Sequence, residues 1–185
     1  MAAADFEMPR LVRATEQDLA EVVALMNAAY RGADGGWTTE AGHIGGSRTD
    51  AAMLRDDIAR DPEAALLVWR QPDGRLVGCV WLEPVGDGVW YLGSLTVEPR
   101  RQNAGLGRRL LAAAEDWARR HGARAVEMTV VQVRGELIDW YRRRGYGPTG
   151  GTKPFPYGDQ RFGIPKRDDL HFIVLRKSLL AEPLS

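Results

Sequence analysis

Residues Leu95 to Leu111, LTVEPRRQNAGLGRRLL, join a β-branched run to a loop bearing Gly105 and Gly107 and then to the start of a helix. Strand, glycine loop and helix N-terminus in that order make a phosphate cradle. The loop offers backbone N–H groups, the glycines let a ligand approach the main chain, and the helix dipole favours negative charge. An anionic, diphosphate-bearing ligand is the first expectation. Of the two familiar phosphate loops one is excluded and the other disfavoured. A P-loop needs a Gly-Lys pair, and the chain has none. The dinucleotide fingerprint GxGxxG wants a third glycine where Leu110 stands and a tight turn after the strand, whereas several residues separate Val97 from Gly105.

Other chemistry-bearing residues narrow the field. The single cysteine, Cys79, lies in the apolar run LVGCVW, which rules out an internal disulfide and a cysteine metal site and predicts a buried, inert thiol. His43, His121 and His171 share no ligand spacing, so no metal is expected. Net charge is zero but uneven: residues 1–95 hold 8 Lys+Arg against 15 Asp+Glu, and residues 96–185 hold 17 against 10. A positive second half suits a small polyanion, whereas nucleic-acid binding usually makes the whole domain basic. The arginine-dominated cations, with Lys153, Lys166 and Lys177 as the only lysines, suggest a GC-rich bacterial genome.

The elements that must position these residues follow from periodicity. With 185 residues, 44% hydrophobic and 27% charged, the expectation is one globular domain over 1–185. The longest apolar run, Ala64 to Trp69, falls far short of the roughly 20 residues that span a bilayer. MAAADFEMPR carries acids and lacks a signal-peptide core, so a cytoplasmic location is expected. Thr15 and Asp18 form a cap signature before a helix with Leu19, Val22, Val23, Met26, Ala29 and Tyr30 on one stripe. Residues 31–48 hold six glycines and read as a long functional loop, followed by a helix over Asp50 to Arg60.

Three strand-like runs, Ala64 to Arg70, Leu76 to Glu83 and Val89 to Val97, are separated by Gln71-Pro72-Asp73-Gly74 and by Pro84 to Gly88, which predicts an antiparallel meander. Gly105 to His121 is the longest helix, and the strand after it, Ala125 to Val131, is reached by a crossover and expected to be parallel to Val89–Val97. A short helix over Glu136 to Arg144, a strand entered at Tyr146 to Gly150, a Pro/Gly-rich insert over 151–169 and a final strand at Leu170 to Leu175 complete the chain. The order is β-α-α-β-β-β-α-β-α-β-β, an α/β fold with a mixed sheet covered by helices. The final strand, expected to be exposed, offers an edge for homodimer pairing.

Gln102-Asn103-Ala104-Gly105-Leu106-Gly107 matches Q/R-x-x-G-x-G/A, and Tyr141 through Gly145-Tyr146 matches Y-x-x-x-G-F/Y. Together with the element order, these make the chain resemble the GNAT N-acetyltransferase superfamily over nearly its whole length. The resemblance implies that main-chain groups along Leu95, Thr96 and Val97 bind the pantetheine arm of acetyl-CoA, with a bulge in Leu92–Val97 splaying two parallel strands to admit it. It implies that the amides from Gln102 to Arg108, which include those of Asn103, Ala104, Gly105, Leu106 and Gly107, hold the pyrophosphate. Tyr141 would protonate the departing thiolate, and a strand N–H would meet the oxyanion.

The chain departs from the family pattern at two positions. Tyr91 stands where some relatives carry a glutamate base, which leaves Glu83 or Glu40 as substitutes. Arg134 stands where many relatives have asparagine, and it either contacts CoA or pairs with Glu136. Trp37, Thr38, Glu40 and Arg48 from the glycine-rich loop, and Tyr157, Asp159 and Arg161 from the insert, are the acceptor-site candidates, suited to a small polar or zwitterionic amine. The alternatives are a non-catalytic acyl-CoA-binding module and an acetyltransferase acting on proteins or peptides.

Overall fold

The computed structural model describes residues 8–32 and 39–180. The chain opens with β1 (Leu11–Arg13) and α1 (Leu19–Arg31), whose start is closed by Thr15: its backbone N–H and its hydroxyl both donate to the Asp18 carboxylate, at 2.7 and 2.9 Å. The two-residue β2 (Ile44–Gly45) interrupts the glycine-rich loop before α2 (Ala51–Arg60), capped by Asp50 accepting from the Met53 N–H at 2.8 Å. Then come β3 (Ala65–Arg70), β4 (Leu76–Gly86), β5 (Val89–Val97), α3 (Leu106–Arg120), β6 (Ala125–Val131), α4 (Gly135–Arg142), β7 (Gly147–Pro154), the short β8 (Ile164–Pro165) and β9 (His171–Ser178).

Seven strands form one sheet in the order β1-β3-β4-β5-β6-β9-β7, antiparallel throughout except for β5 beside β6. The crossover through α3 therefore gives the one parallel pair, as the sequence predicts. Strand alternation divides the core. Ala65, Leu67 and Trp69 face the layer of α3 and α4 with Leu110, Trp117 and Tyr141, while Leu66, Val68 and Cys79 face Leu19, Val22, Met26 and Leu54 of α1 and α2. Both faces of the sheet are covered, which is why β3 reads as a continuous apolar run. Cys79 is fully buried and its thiol is pushed up to about 12 by that burial, the inert state expected.

Three expectations are corrected. Pro84 to Gly88 is not all turn: β4 continues to Gly86 and reverses at Asp87-Gly88, both at positive φ. β3 stops pairing at Leu82, so Pro84 sits where β4 has a neighbour only on the β5 side and its missing N–H leaves no ladder gap there. The final strand is not exposed but lies between β6 and β7, leaving β1 and β7 as the edges. The dimer edge inferred for it therefore does not exist. The two glycine-rich segments are not plain loops either, because β2 pairs antiparallel with β8. Gly163, at φ +84, permits this: a Cβ there would come within 2.5 Å of the Gly45 carbonyl oxygen. No described helix is long and apolar enough to cross a membrane.

Candidate active site

The site begins at a fault in β5. Opposite β4, Cys79 pairs with Thr96 and Trp81 with Gly93, so two residues of β5 oppose one of β4. Ser94 and Leu95 form that bulge, and Ser94 takes a φ of +51, rare for a residue with a side chain. The Thr96 hydroxyl braces it by donating to the Ser94 carbonyl at 2.9 Å. Beyond Tyr91, paired with Glu127, β5 and β6 part company: β6 continues along β9 to Val131 and β5 along β4 to Val97. The expected splay and the expected bulge are thus both present, the bulge three residues beyond the last β5–β6 pair.

Two clefts open on either side of this wedge and meet at Tyr30, Leu95, Leu137 and Tyr141. The first, about 650 Å³ counting space open to solvent, runs from Leu95 and Val97 past Gly105, Gly107 and Arg108. Residues Pro99–Ala104 wind into 3-10 turns, and Gly105, left-handed at φ +72, swings the chain into α3. The first-turn amides of Leu106, Gly107 and Arg108 have no carbonyl one turn back within α3. A Cβ on Gly105 would meet no atom within 4 Å, so the space beside it is open for a ligand. Arg144, stacked over Trp140 at 3.6 Å, lines the same cleft, and burial followed by the positive charges of Arg143 and Arg108 holds its guanidinium below the ordinary value. Such crowded cations favour an anion.

The second cleft is larger, about 1560 Å³ on the same count, and is walled by β4, β5, β6, the β2 segment and the insert. Glu83 lines it, accepting from the Trp81 indole N–H at 2.9 Å and standing opposite Tyr91 in the β4–β5 register. The Tyr91 hydroxyl lies 3.1 Å from Thr129 Oγ1, and burial raises its phenol, so Tyr91 is protonated at neutral pH. Glu40 is held by Arg31 at 2.7 Å and faces Arg134 at 3.6 Å, a buried cluster of two cations around one carboxylate. Arg134, 8% exposed at its side chain, thus faces Glu40. Arg48 donates to Ser94 Oγ at 3.1 Å and lies over the Tyr30 ring.

Tyr141 sits at the junction, 6% exposed, with its phenol raised first by burial and then by the Tyr30 and Tyr91 phenols. Tyr30, which donates to the Leu95 carbonyl at 3.2 Å, is pushed up to about 12, chiefly by burial.

Several sequence candidates stand elsewhere. Thr96 turns into the core, 2% exposed, because alternation sends it away from the cleft that Leu95 and Val97 line. Tyr157 is exposed on the insert, where its hydroxyl accepts from the Leu170 N–H at 2.8 Å. Asp159 caps the 3-10 turn at Gln160–Phe162, and Arg161 is drawn to Asp57 of α2 at 2.6 Å. None of the last three lines either cleft; they fasten the insert instead. Trp37 and Thr38 lie outside the described residues. Tyr30 and Ser94 were not singled out by sequence reasoning. Gly93 within a strand was the available signal for Ser94, and the last stripe position of α1 before the glycine loop was that for Tyr30. Among the described residues no three His, Cys, Asp or Glu side chains converge as a metal site.

Comparison with known proteins agrees with this geometry. Residues 22–146 match the model of the Acetyltransferase (GNAT) family. Mycothiol acetyltransferase of Clavibacter sepedonicus is 36% identical over 109 residues, covering 57% of this chain but only 35% of that protein. The chain thus spans about a third of the length of the curated relatives it matches. Among solved structures, ribosomal-protein-alanine N-acetyltransferase from Brucella melitensis superposes with a TM-score of 0.66 at 21% identity, covering 92% of this chain and 99% of that one. The protein yncA from Salmonella typhimurium, solved with its cofactor acetyl-CoA, gives 0.65 at 21% identity, covering 97% and 98%.

Proposed function

The chain belongs to the GNAT acetyltransferase family, and from that premise we propose that it is an N-acetyltransferase that transfers the acetyl group of acetyl-CoA to the amine of a small molecule by direct attack on the thioester. The observation that carries this reading is the wedge between β5 and β6, open at the Ser94–Leu95 bulge and ending at Tyr141. Main-chain groups of Leu95 and Val97 take the pantetheine arm, and the first-turn amides of α3 with Arg108 take the pyrophosphate, where the Gly105 surroundings leave room.

Acetyl-CoA bound there supplies a thioester whose C–S bond breaks as the amine nitrogen bonds the acetyl carbon, freeing one proton from nitrogen and consuming one at sulfur. Tyr141 is the donor to sulfur: burial keeps its proton in place at every working pH. Glu83 is the acceptor for the amine proton, since it lines the acceptor cleft and carries no cation, whereas Glu40 is held by Arg31 and Arg134. The N–H groups at the bulge, where the ladder to β4 is interrupted, are the donors to the thioester oxygen.

A small acceptor is favoured over a protein because the insert is fastened along one side of the half-enclosed cleft. The β2–β8 pair and the Lys166 bond to the Ala41 carbonyl join it to the β2 segment and the Arg161–Asp57 ion pair joins it to α2, with Phe162 of the insert and Ile44 of β2 lining the space. The test has two arms. Acetyl-CoA raises the melting temperature, and thiol is released with a member of a panel of amino acids, polyamines, aminoglycosides and peptides. Absence of a thermal shift overturns the reading; a shift with no thiol release from any amine assigns the fold to acyl-CoA binding without turnover.

A further inference from the structure

We propose that Arg48 and the Ser94 hydroxyl form an anion anchor in the acceptor cleft, so that the preferred acceptor carries a carboxylate or similar anion beside its amine. The proposal rests on the acetyltransferase reading and names its acceptor class. The charges of the cleft wall motivate it. Glu127 is neutralised by Arg176 at 2.6 Å, and Glu40 is held between Arg31 and Arg134. Among the described residues Arg48 and Lys153 line the cleft with no carboxylate partner, against Glu83 alone on the acidic side. The lining itself holds Arg31, Arg48 and Lys153 against Glu40, Glu83 and Glu127; with Glu40 and Glu127 already paired, Arg48 and Lys153 are the cations left to a ligand in a half-enclosed space, where charge is poorly screened.

Donor geometry locates the anchor. A guanidinium can only donate, so Ser94 Oγ is the acceptor in its 3.1 Å bond from Arg48, and the hydroxyl proton has no acceptor among the described residues. The strained φ of Ser94 holds this hydroxyl on the cleft wall beside Leu95, where the two clefts meet. Arg31 Nε, on the same wall, is also buried without an acceptor. A neutral amine leaves these donors unspent; an anion satisfies them. Phe155, Phe162 and Phe172 then face the remainder of the acceptor, which suits an amino acid with an apolar side chain.

Thiol release with phenylalanine and phenylethylamine, and with leucine and 3-methylbutylamine, compared at equal concentrations of neutral amine, tests the anchor. The wild type is expected to favour each acid at least tenfold in kcat/KM. Arg48→Met lowers that ratio at least tenfold, Arg48→Lys restores part of it, and Ser94→Ala lies between. A wild-type ratio near one overturns the proposal. So does Arg48→Met lowering both members of a pair equally, which assigns Arg48 to the reacting carbonyl. Folding of each variant is read from its acetyl-CoA thermal shift, and Arg48→Lys and Ser94→Ala carry the test if Arg48→Met is unfolded. If no amine is turned over, the acetyltransferase reading fails on its own. The anchor is still decided by binding: with CoA present, N-acetylphenylalanine shifts the melting temperature of the wild type and not of Arg48→Met, and N-acetylphenylethylamine shifts neither. Equal shifts from both ligands overturn it.

Discussion

Tyr146 donates a hydrogen bond of 2.9 Å to Glu115, whose other carboxylate oxygen is held by Lys177 at 2.7 Å. This network lies behind the active site, since the Tyr146 ring packs edge-on against Tyr141 with centroids 5.6 Å apart. It joins α3, β9 and the turn after α4. Tyr146→Phe removes one neutral donor and keeps the ring, so it is expected to cost about 1–2 kcal/mol in chemical denaturation. Lys177→Met strips the cation from a carboxylate that is 10% exposed, and the larger loss, about 3 kcal/mol, follows from leaving that charge in the interior. Equal costs for the two variants contradict the network as described.

Tyr141→Phe keeps the edge contacts to Trp140 and Tyr146 and deletes only the hydroxyl. The acetyl-CoA thermal shift is expected to persist while kcat falls about a hundredfold, the scale of a lost general acid. Burial raises the Tyr141 phenol, so its proton is retained through the alkaline range in which a free tyrosine ionises. The kcat profile is therefore expected to show no descending limb up to pH 10. A limb near pH 9 that vanishes in Tyr141→Phe assigns Tyr141 an ordinary phenol and removes the basis for its role.

Gly105 separates stability from ligand binding. At φ +72 a side chain costs about 1–2 kcal/mol of backbone strain, but a Cβ meets no protein atom within 4 Å. Gly105→Val is thus expected to remain folded, with a modest drop in melting temperature, and to lose at least tenfold in acetyl-CoA affinity because the side chain fills the ligand's space. Calorimetric titration with acetyl-CoA checks it. Unchanged affinity places the pyrophosphate elsewhere.

Asp18 predicts a pH dependence of stability. Burial opposes its ionisation, yet the Thr15 N–H, Arg70 at 2.7 Å and the Thr15 hydroxyl outweigh that and hold its carboxyl below the ordinary value. A depressed folded value means the contribution is present above the unfolded carboxylate range, near pH 4, and is lost as pH falls through the lower folded value. Asp18→Asn is expected to destabilise by about 1 kcal/mol at pH 7, with the gap to wild type closing below pH 4 in denaturation curves. A gap that persists at pH 2 assigns the loss to packing.

Local chemistry sufficed for much of the fold and for one half of the site. Apolar periodicity marks α1, α3 and β3 because each buries a stripe or both faces, and Thr15 with Asp18 marks a helix start through bonds made within four residues. The cradle at Gly105 was legible for the same reason: loop, left-handed glycine and helix dipole are contiguous in the chain. The acceptor half was not. Tyr157, Asp159 and Arg161 have the residue types of a binding loop, but Leu170, the 3-10 turn and Asp57 claim them, and those partners are remote in sequence or set by the turn itself. The sequence by itself therefore determined the strand, left-handed Gly105 and helix N-terminus at the start of α3, because their order is contiguous in the chain. Which cations and hydroxyls are left on the wall of the larger cleft was decided by tertiary pairing: Arg31 and Arg134 neutralise Glu40 while Arg48 meets Ser94, because the fold brings α1, the β2 segment and the bulged strand to one cleft.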